Sequence, residues 1–232
     1  MLMSEQPSND DLTDKFQSLN VQQTNLQLIC DAGYGFPIEA RPRREKLLAV
    51  AKQLHNFVAW QVESSSHNKH DLAEILIVGF NNQADQVALK GRLEELCKGE
   101  LPLNLTFSSQ PLESFAKTAV YLSPDAEAVL DATVKPPAQV VVGLLIDRRV
   151  QPNRSYKRAT SKLNFQNCAR LGLEKVLADI DASEPLNVDT VLIAMQQWWW
   201  NPKNFGDSVE VALKDHALRH PNRPLHKANT SS

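Results

Sequence analysis

Short apolar runs alternate along this chain with longer stretches in which apolar residues recur every three or four positions. LQLICDAG (26–33) is a compact apolar run closed by Asp31 and Gly33, which predicts a first buried strand and its exit turn. After Pro42, the residues Leu47, Val50, Ala51, Leu54, Phe57 and Val58 fall at helical spacing. AEILIVGF (73–80) predicts a second strand, and QVALKGRLEELC a helix with Val87, Leu93 and Leu96 facing inward. LPLNLTF (101–107) and AVYLS (119–123) predict strands three and four, and AEAVLDA a short helix. The most continuous apolar run is QVVVGLLIDRRV (139–150), which predicts a strand over 139–147 buried on both faces. FQNCARLGL (165–173) predicts a helical turn or two stopped at Gly172, and KVLADI (175–180) a last strand. Asn187 suits the N-cap of a helix carrying Val188, Val191, Leu192 and Met195 on one face. GDSVEVALKDHAL gives a final helix.

Strands alternating with helices predict an α/β fold, a largely parallel sheet with helices on both faces. Residues 1–24 and 221–232 are polar and read as flexible tails around one folded unit, 25–220. A chain of 232 residues is long enough for a proper core. The formal net charge of −2 excludes a global basic field, so any nucleic-acid contact must come from a local patch. Three widely spaced cysteines argue against a disulfide framework or zinc cluster and suit a reducing compartment. No apolar run approaches the roughly 18–20 residues of a membrane span. The expectation is a soluble protein, cytoplasmic or nuclear.

The search for familiar chemistry is mostly negative. The sequence holds no Gly-rich phosphate loop, no dinucleotide fingerprint, no H-E-x-x-H and no G-x-S-x-G. The six histidines are scattered, and His67 and His70 sit in a polar loop without a metal-spaced carboxylate or cysteine cluster. Trp198, Trp199 and Trp200 could stack unpaired bases, but consecutive helical positions point in three directions, which places at least one in the core. Asp147 ends the longest predicted strand, where open α/β sheets bind ligands. Position alone favours a solvated Asp–Arg turn. Its exit is basic: Arg148 and Arg149, then Arg154, Lys157 and Arg158. Arg41, Arg43 and Arg44 form a second basic cluster.

The order of YLSPDA (121–126), VVGLLIDRRVQ (141–151), FQNCARLGL (165–173), VLADID (176–181) and LNVDTVLIAM (186–195) resembles the tRNA purine-9 N1-methyltransferases. These are the monomeric branch of the SPOUT methyltransferases, whose chain ends in a trefoil knot. With LQLICDAG and ILIVGFNNQADQVAL, the resemblance spans about residues 26–215. It implies S-adenosylmethionine as methyl donor and tRNA as partner, with Asp147 as candidate general base. It further implies that Leu122, Ser123, Gly143 and Ile146 line the donor pocket with Asn164, Leu177, Ala178, Leu186, Asn187, Thr190 and Val191. Gly143 would let the backbone approach the donor. Arg148, Arg149, Arg154, Lys157 and Arg158 would hold tRNA phosphates, with Arg41, Arg43 and Arg44 as a second footing.

The chemistry fits such an assignment. N1 of guanine carries a proton that must leave as nitrogen attacks the methyl group, and a carboxylate at a strand end can take it. Purine 9 lies inside a folded tRNA, so the base would be extruded. The sequence also departs from the family: Ala178 replaces a proline, the loop after Asp147 is longer, and an acidic segment stands where the family has a basic extension. Two other readings therefore stay open, a non-catalytic RNA-binding scaffold with the same fold and a SPOUT methyltransferase with another RNA target.

Overall fold

The computed structural model describes residues 25–35, 41–65, 72–146, 151–177 and 185–221, without the side chains of 41–45 and 65. Seven strands form one sheet: β1 (Gln27–Asp31), β2 (Glu74–Val78), β3 (Leu105–Phe107), β4 (Val120–Leu122), β5 (Val129–Leu130), β6 (Gln139–Gly143) and β7 (Cys168–Leu171). Their order is β3-β2-β1-β6-β4-β7-β5, and every neighbouring pair is parallel. β1 is therefore interior, paired with β2 on one side and β6 on the other, with Asp31 opposite both Val78 and Gly143.

Side-chain alternation along these strands builds two unequal layers. Leu28, Cys30, Ile75, Ile77, Val120, Leu122, Val140 and Val142 face a large core completed by helices α1 (Arg41–Ser65), α2 (Gln83–Leu96), α4 (Val188–Trp200) and α5 (Phe205–Arg219). Ile29, Val78, Tyr121 and Val141 face a thinner layer, closed by the 3₁₀ turn Leu112–Phe115 and by Ala159, Leu163 and Phe165. Both faces are covered, one by long helices and the other by short 3₁₀ and π turns. α1 is tied to α4 by side-chain amides: Asn56 Nδ2 donates to Asp189 at 3.0 Å and Gln61 Nε2 to Gln196 at 3.0 Å. Among the described residues, no helix is long and apolar enough to cross a membrane.

Several local expectations are corrected. AEAVLDA holds the edge strand β5 rather than a helix, and 165–173 holds β7 rather than helical turns. In β7, Ala169 and Leu171 are buried while Cys168 and Arg170 are half-buried, a period of two that four residues do not advertise. Its backbone is claimed by the sheet: Ser123 N–H donates to Ala169 O and Gly172 N–H to Leu130 O, both at 2.9 Å. Tertiary pairing overrides local preference there. KVLADI was expected as a strand. Its described part is the end of a 3₁₀ turn (Leu173–Lys175) followed by Val176 and Leu177, and 178–180 lie outside the described residues. The central strand stops at Gly143, four positions short of the expected end. The basic loop contains a helical turn, α3 (Arg154–Lys157), continued by a π turn, Arg158–Lys162. Val87 is 62% exposed, and Leu89 takes its place inside α2. The tryptophans serve the core: Trp198 is fully buried edge-on to Phe205, and Trp200 stacks on Trp60.

Candidate functional site

A cavity of about 310 Å³ opens beyond the carboxyl ends of β4, β6 and β7. This is where parallel α/β sheets bind ligands, and the volume is at the small end of the range for small-molecule sites. Leu122, Val142, Ile146, Leu171, Leu186 and Val191 give it apolar walls. Ser123, Asp125, Ser155, Arg170, Asn187 and Gln53 add polar groups. The hydroxyls of Ser123 and Ser155 lie 2.8 Å apart, which fastens α3 to the end of β4. Arg170 pairs bidentately with Glu174, both contacts at 2.8 Å, and these hydrogen bonds hold the Glu174 carboxyl below its ordinary pKa.

Behind Gly143 lies a buried polar cluster centred on Asp31, whose side chain has no exposed surface. Oδ1 accepts from Gly33 N–H and Arg158 Nη2, both at 2.8 Å. Oδ2 accepts from Arg158 Nε at 2.6 Å and from the Tyr121 hydroxyl at 2.8 Å. Tyr121 has one proton and gives it to Asp31, so Tyr34, whose hydroxyl is 2.9 Å away, donates to Tyr121. Arg158 and Arg154 lie over the Tyr34 ring, 5.0 and 5.6 Å from its centroid. Two glycines make this possible. A Cβ at Gly33 would sit 1.8 Å from Arg158 Nη2, and one at Gly143 would sit 2.8 Å from Tyr34 Cε2.

Electrostatics in the cluster follow from burial. Both phenols are pushed above the ordinary tyrosine pKa, by burial first and by the Asp31 charge with it. Burial alone would lower the pKa of Arg158; its hydrogen bonds to Asp31 and the Asp31 charge outweigh this and raise it. Cys30, next to Asp31 in β1, is pushed up to about 12 by burial and by that carboxylate, so it is a core thiol and no nucleophile.

The structure brings Leu122, Ser123, Gly143, Ile146, Leu186, Asn187 and Val191 together around the one cavity. Three expected members lie elsewhere. Thr190 is buried, its hydroxyl 2.9 Å from His216 Nδ1, because its position on α4 faces α5. Asn164 is exposed at a positive φ of 54° where the π turn ends. Leu177 packs against the helical core rather than on the cavity wall. Ala178, Asp147, Arg148 and Arg149 lie outside the described residues, as do the side chains of Arg41, Arg43 and Arg44. Arg158, expected on phosphate, is committed to Asp31 with only 16% of its side chain exposed. A buried carboxylate with open acceptor sites holds a guanidinium more firmly than solvent does. Lys157 is exposed beside it.

Sequence reasoning passed over Asp31, Tyr34, Tyr121, Ser155, Arg170 and Gln53. Asp31 was open to the argument applied to Asp147, since each carboxylate ends an apolar run that reads as a buried strand. The D-A-G-Y-G spacing (31–35) marks a turn that needs close approach around an aromatic ring. Gln53 is a polar residue on a buried helical face, which signals a bound amide.

No family model matches the chain, and no curated protein matches it in sequence. Solved structures do match in fold. Full-length spTrm10, in its complex with SAH, has a TM-score of 0.60 at 14% identity over 84% of this chain and 99% of that one. A second spTrm10 structure gives 0.56 at 16% identity over 81% and 92%. A dual-specific Trm10 from Thermococcus kodakaraensis gives 0.51 at 12% identity over 81% and 99%. The chain has the fold of these Trm10 structures.

Proposed function

We propose that this chain is an S-adenosylmethionine-dependent RNA methyltransferase that acts on tRNA at N1 of the purine at position 9, guanine in preference to adenine. One observation carries the reading. The cavity is assembled from 122–125, 142–146 and 185–191, segments on which the sequence resembles the purine-9 methyltransferases. The fold likeness to a Trm10 structure holding SAH supports it.

The residues present suit such a donor. Gly143 borders the cavity, and it stays without a side chain because a Cβ there would run into Tyr34 and, at 3.3 Å, the Tyr121 hydroxyl of the cluster behind it. Leu122, Ile146, Leu186 and Val191 offer apolar walls for an adenosyl group, and Ser123, Asn187 and Gln53 offer polar contacts. Bound there, S-adenosylmethionine supplies an electrophilic methyl group. Asp31 accepts four hydrogen bonds and is closed to substrate, so it cannot serve as the base. Asp147 directly follows Ile146 of the cavity wall and takes that role, accepting the N1 proton of guanine. α3 borders the cavity through Ser155, and in this reading its Arg154 and Lys157 hold phosphates of the bound RNA.

The test is methylation of an unmodified tRNA with guanine at position 9, with the product nucleotide mapped by mass spectrometry. Methylguanosine at that position is expected, and Asp147→Asn lowers the rate at neutral pH by about 10²- to 10⁴-fold. Full activity in Asp147→Asn removes the general-base assignment. Retained tRNA binding with no binding of S-adenosylhomocysteine replaces the enzyme by a non-catalytic RNA-binding scaffold.

A further inference from the structure

We infer that Gln53, on α1 and outside the segments that carry the resemblance, donates a hydrogen bond from Nε2 to an oxygen acceptor of the nucleoside ligand in the cavity. The inference rests on the donor-site reading above and specifies which atom of Gln53 makes the contact, in which direction and to what kind of partner.

Gln53 lies among Val50, Ala51, Leu54 and Phe57, the apolar positions with which α1 packs on the core, and is itself 7% exposed. An amide so placed is costly unless its polar atoms find partners. Oε1 has one: it accepts from the Val188 N–H, at the start of α4, at 2.8 Å. A backbone N–H only donates, so this contact fixes which end of the amide is oxygen and which is nitrogen. Nε2 therefore points away from the start of α4. It meets no protein acceptor among the described residues. The sealed, unpartnered side-chain atoms there are Asn167 Oδ1, Gln196 Nε2 and Trp198 Nε1. Gln53 Nε2 is not one of them, and Gln53 is a residue of the cavity wall.

A neutral donor held from behind by α4 selects its partner. It offers nothing to the amino groups of the ligand and donates to a ribose hydroxyl oxygen or to the amino-acid carboxylate. Two polar pairs on the same wall are engaged with one another, Ser123 with Ser155 and Arg170 with Glu174. Gln53 is then a binding residue that also anchors the helix forming the far wall.

Gln53→Glu separates the two roles. A glutamate at 53 still accepts from Val188 N–H, and once ionised at the positive end of the α4 dipole it has no proton to give the ligand. Calorimetric titration with S-adenosylhomocysteine and urea denaturation are run on the wild type, Gln53→Glu and Gln53→Met. Gln53→Glu keeps the Val188 contact and retains more of the urea midpoint than Gln53→Met, and it binds at least about tenfold more weakly. Wild-type affinity in Gln53→Glu overturns the inference and leaves Gln53 as a helix anchor alone. If the wild type itself does not bind, the donor-site reading fails and the inference with it. A second measurement needs no substitution: in ¹⁵N–¹H spectra of the wild type, the Gln53 side-chain amide pair shifts on ligand addition. An unmoved pair during saturation overturns the inference.

Discussion

Arg158 reaches 127 positions back along the chain to grip Asp31 with two nearly parallel bonds, Nε to Oδ2 at 2.6 Å and Nη2 to Oδ1 at 2.8 Å. The pair fastens the segment after the central strand to the end of β1. Through Ser155, one helical turn earlier, it also sets one wall of the cavity.

Breaking this pair from one side strands a charge. In Arg158→Met, Asp31 stays buried with Gly33 N–H and the Tyr121 hydroxyl as its remaining donors. Loss of about 3–5 kcal/mol is expected, read as a lower urea midpoint with an unchanged slope. Asp31→Asn in the Arg158→Met background recovers part of the loss, because the uncompensated charge is gone. An unchanged midpoint together with weakened tRNA binding would return Arg158 to phosphate contact.

Gly143→Ala drives a methyl group into the Tyr34 ring. The ring cannot retreat freely, since Arg154 and Arg158 lie over it and its hydroxyl is bonded to Tyr121. A loss of about 1–3 kcal/mol is expected from overpacking, with weaker binding of S-adenosylhomocysteine. Tyr34→Ala in the same chain makes room and restores much of the stability. If the double variant is no more stable than Gly143→Ala, the ring is not the obstacle.

The two phenols predict an alkaline limit. Their folded pKa values are raised, so their contribution to stability is intact below the ordinary tyrosine value of about 10. It is lost as pH climbs above that value, where the unfolded chain releases the protons first. Between pH 9 and 11 stability falls with pH, and Tyr34→Phe makes the fall shallower by up to about 1.4 kcal/mol per pH unit. Urea midpoints at stepped pH measure this. Equal slopes for the two proteins would show that the Tyr34 phenol ionises as freely as in the unfolded chain.

What was legible in the sequence follows the length of each pattern. The long helices α1, α2, α4 and α5 and the strong strands β1, β2 and β6 announce themselves through several turns or a dense β-branched run. β5 and β7 do not, because two and four residues cannot display a period, and their identity is fixed by backbone bonds to distant strands. The cavity wall was readable as ordered segments, and Leu122, Ser123, Gly143, Ile146, Leu186, Asn187 and Val191 do converge. The polar cluster was not readable. Tyr121 and Arg158 lie 90 and 127 positions after Asp31, and the parallel pairing of β1 with β6 and of β6 with β4 brings Asp31 and Tyr121 together beside the turn that carries Arg158.

That pairing also governs how the protein must assemble. β1 closes against β6 with Gln27 opposite Gln139, and Gln53 on α1 finds Val188, 135 positions away. Each contact closes a long loop, whose entropy is lost before neighbouring contacts compensate, so folding belongs to the slow, high-contact-order regime. On a ribosome, the first helix emerges well before the last helices that complete its buried face. The cavity, with walls drawn from residue 53 to residue 191, exists only when nearly the whole chain is in place. A ligand that binds there recognises completed folding, and by mass action it shifts the balance toward the finished molecule.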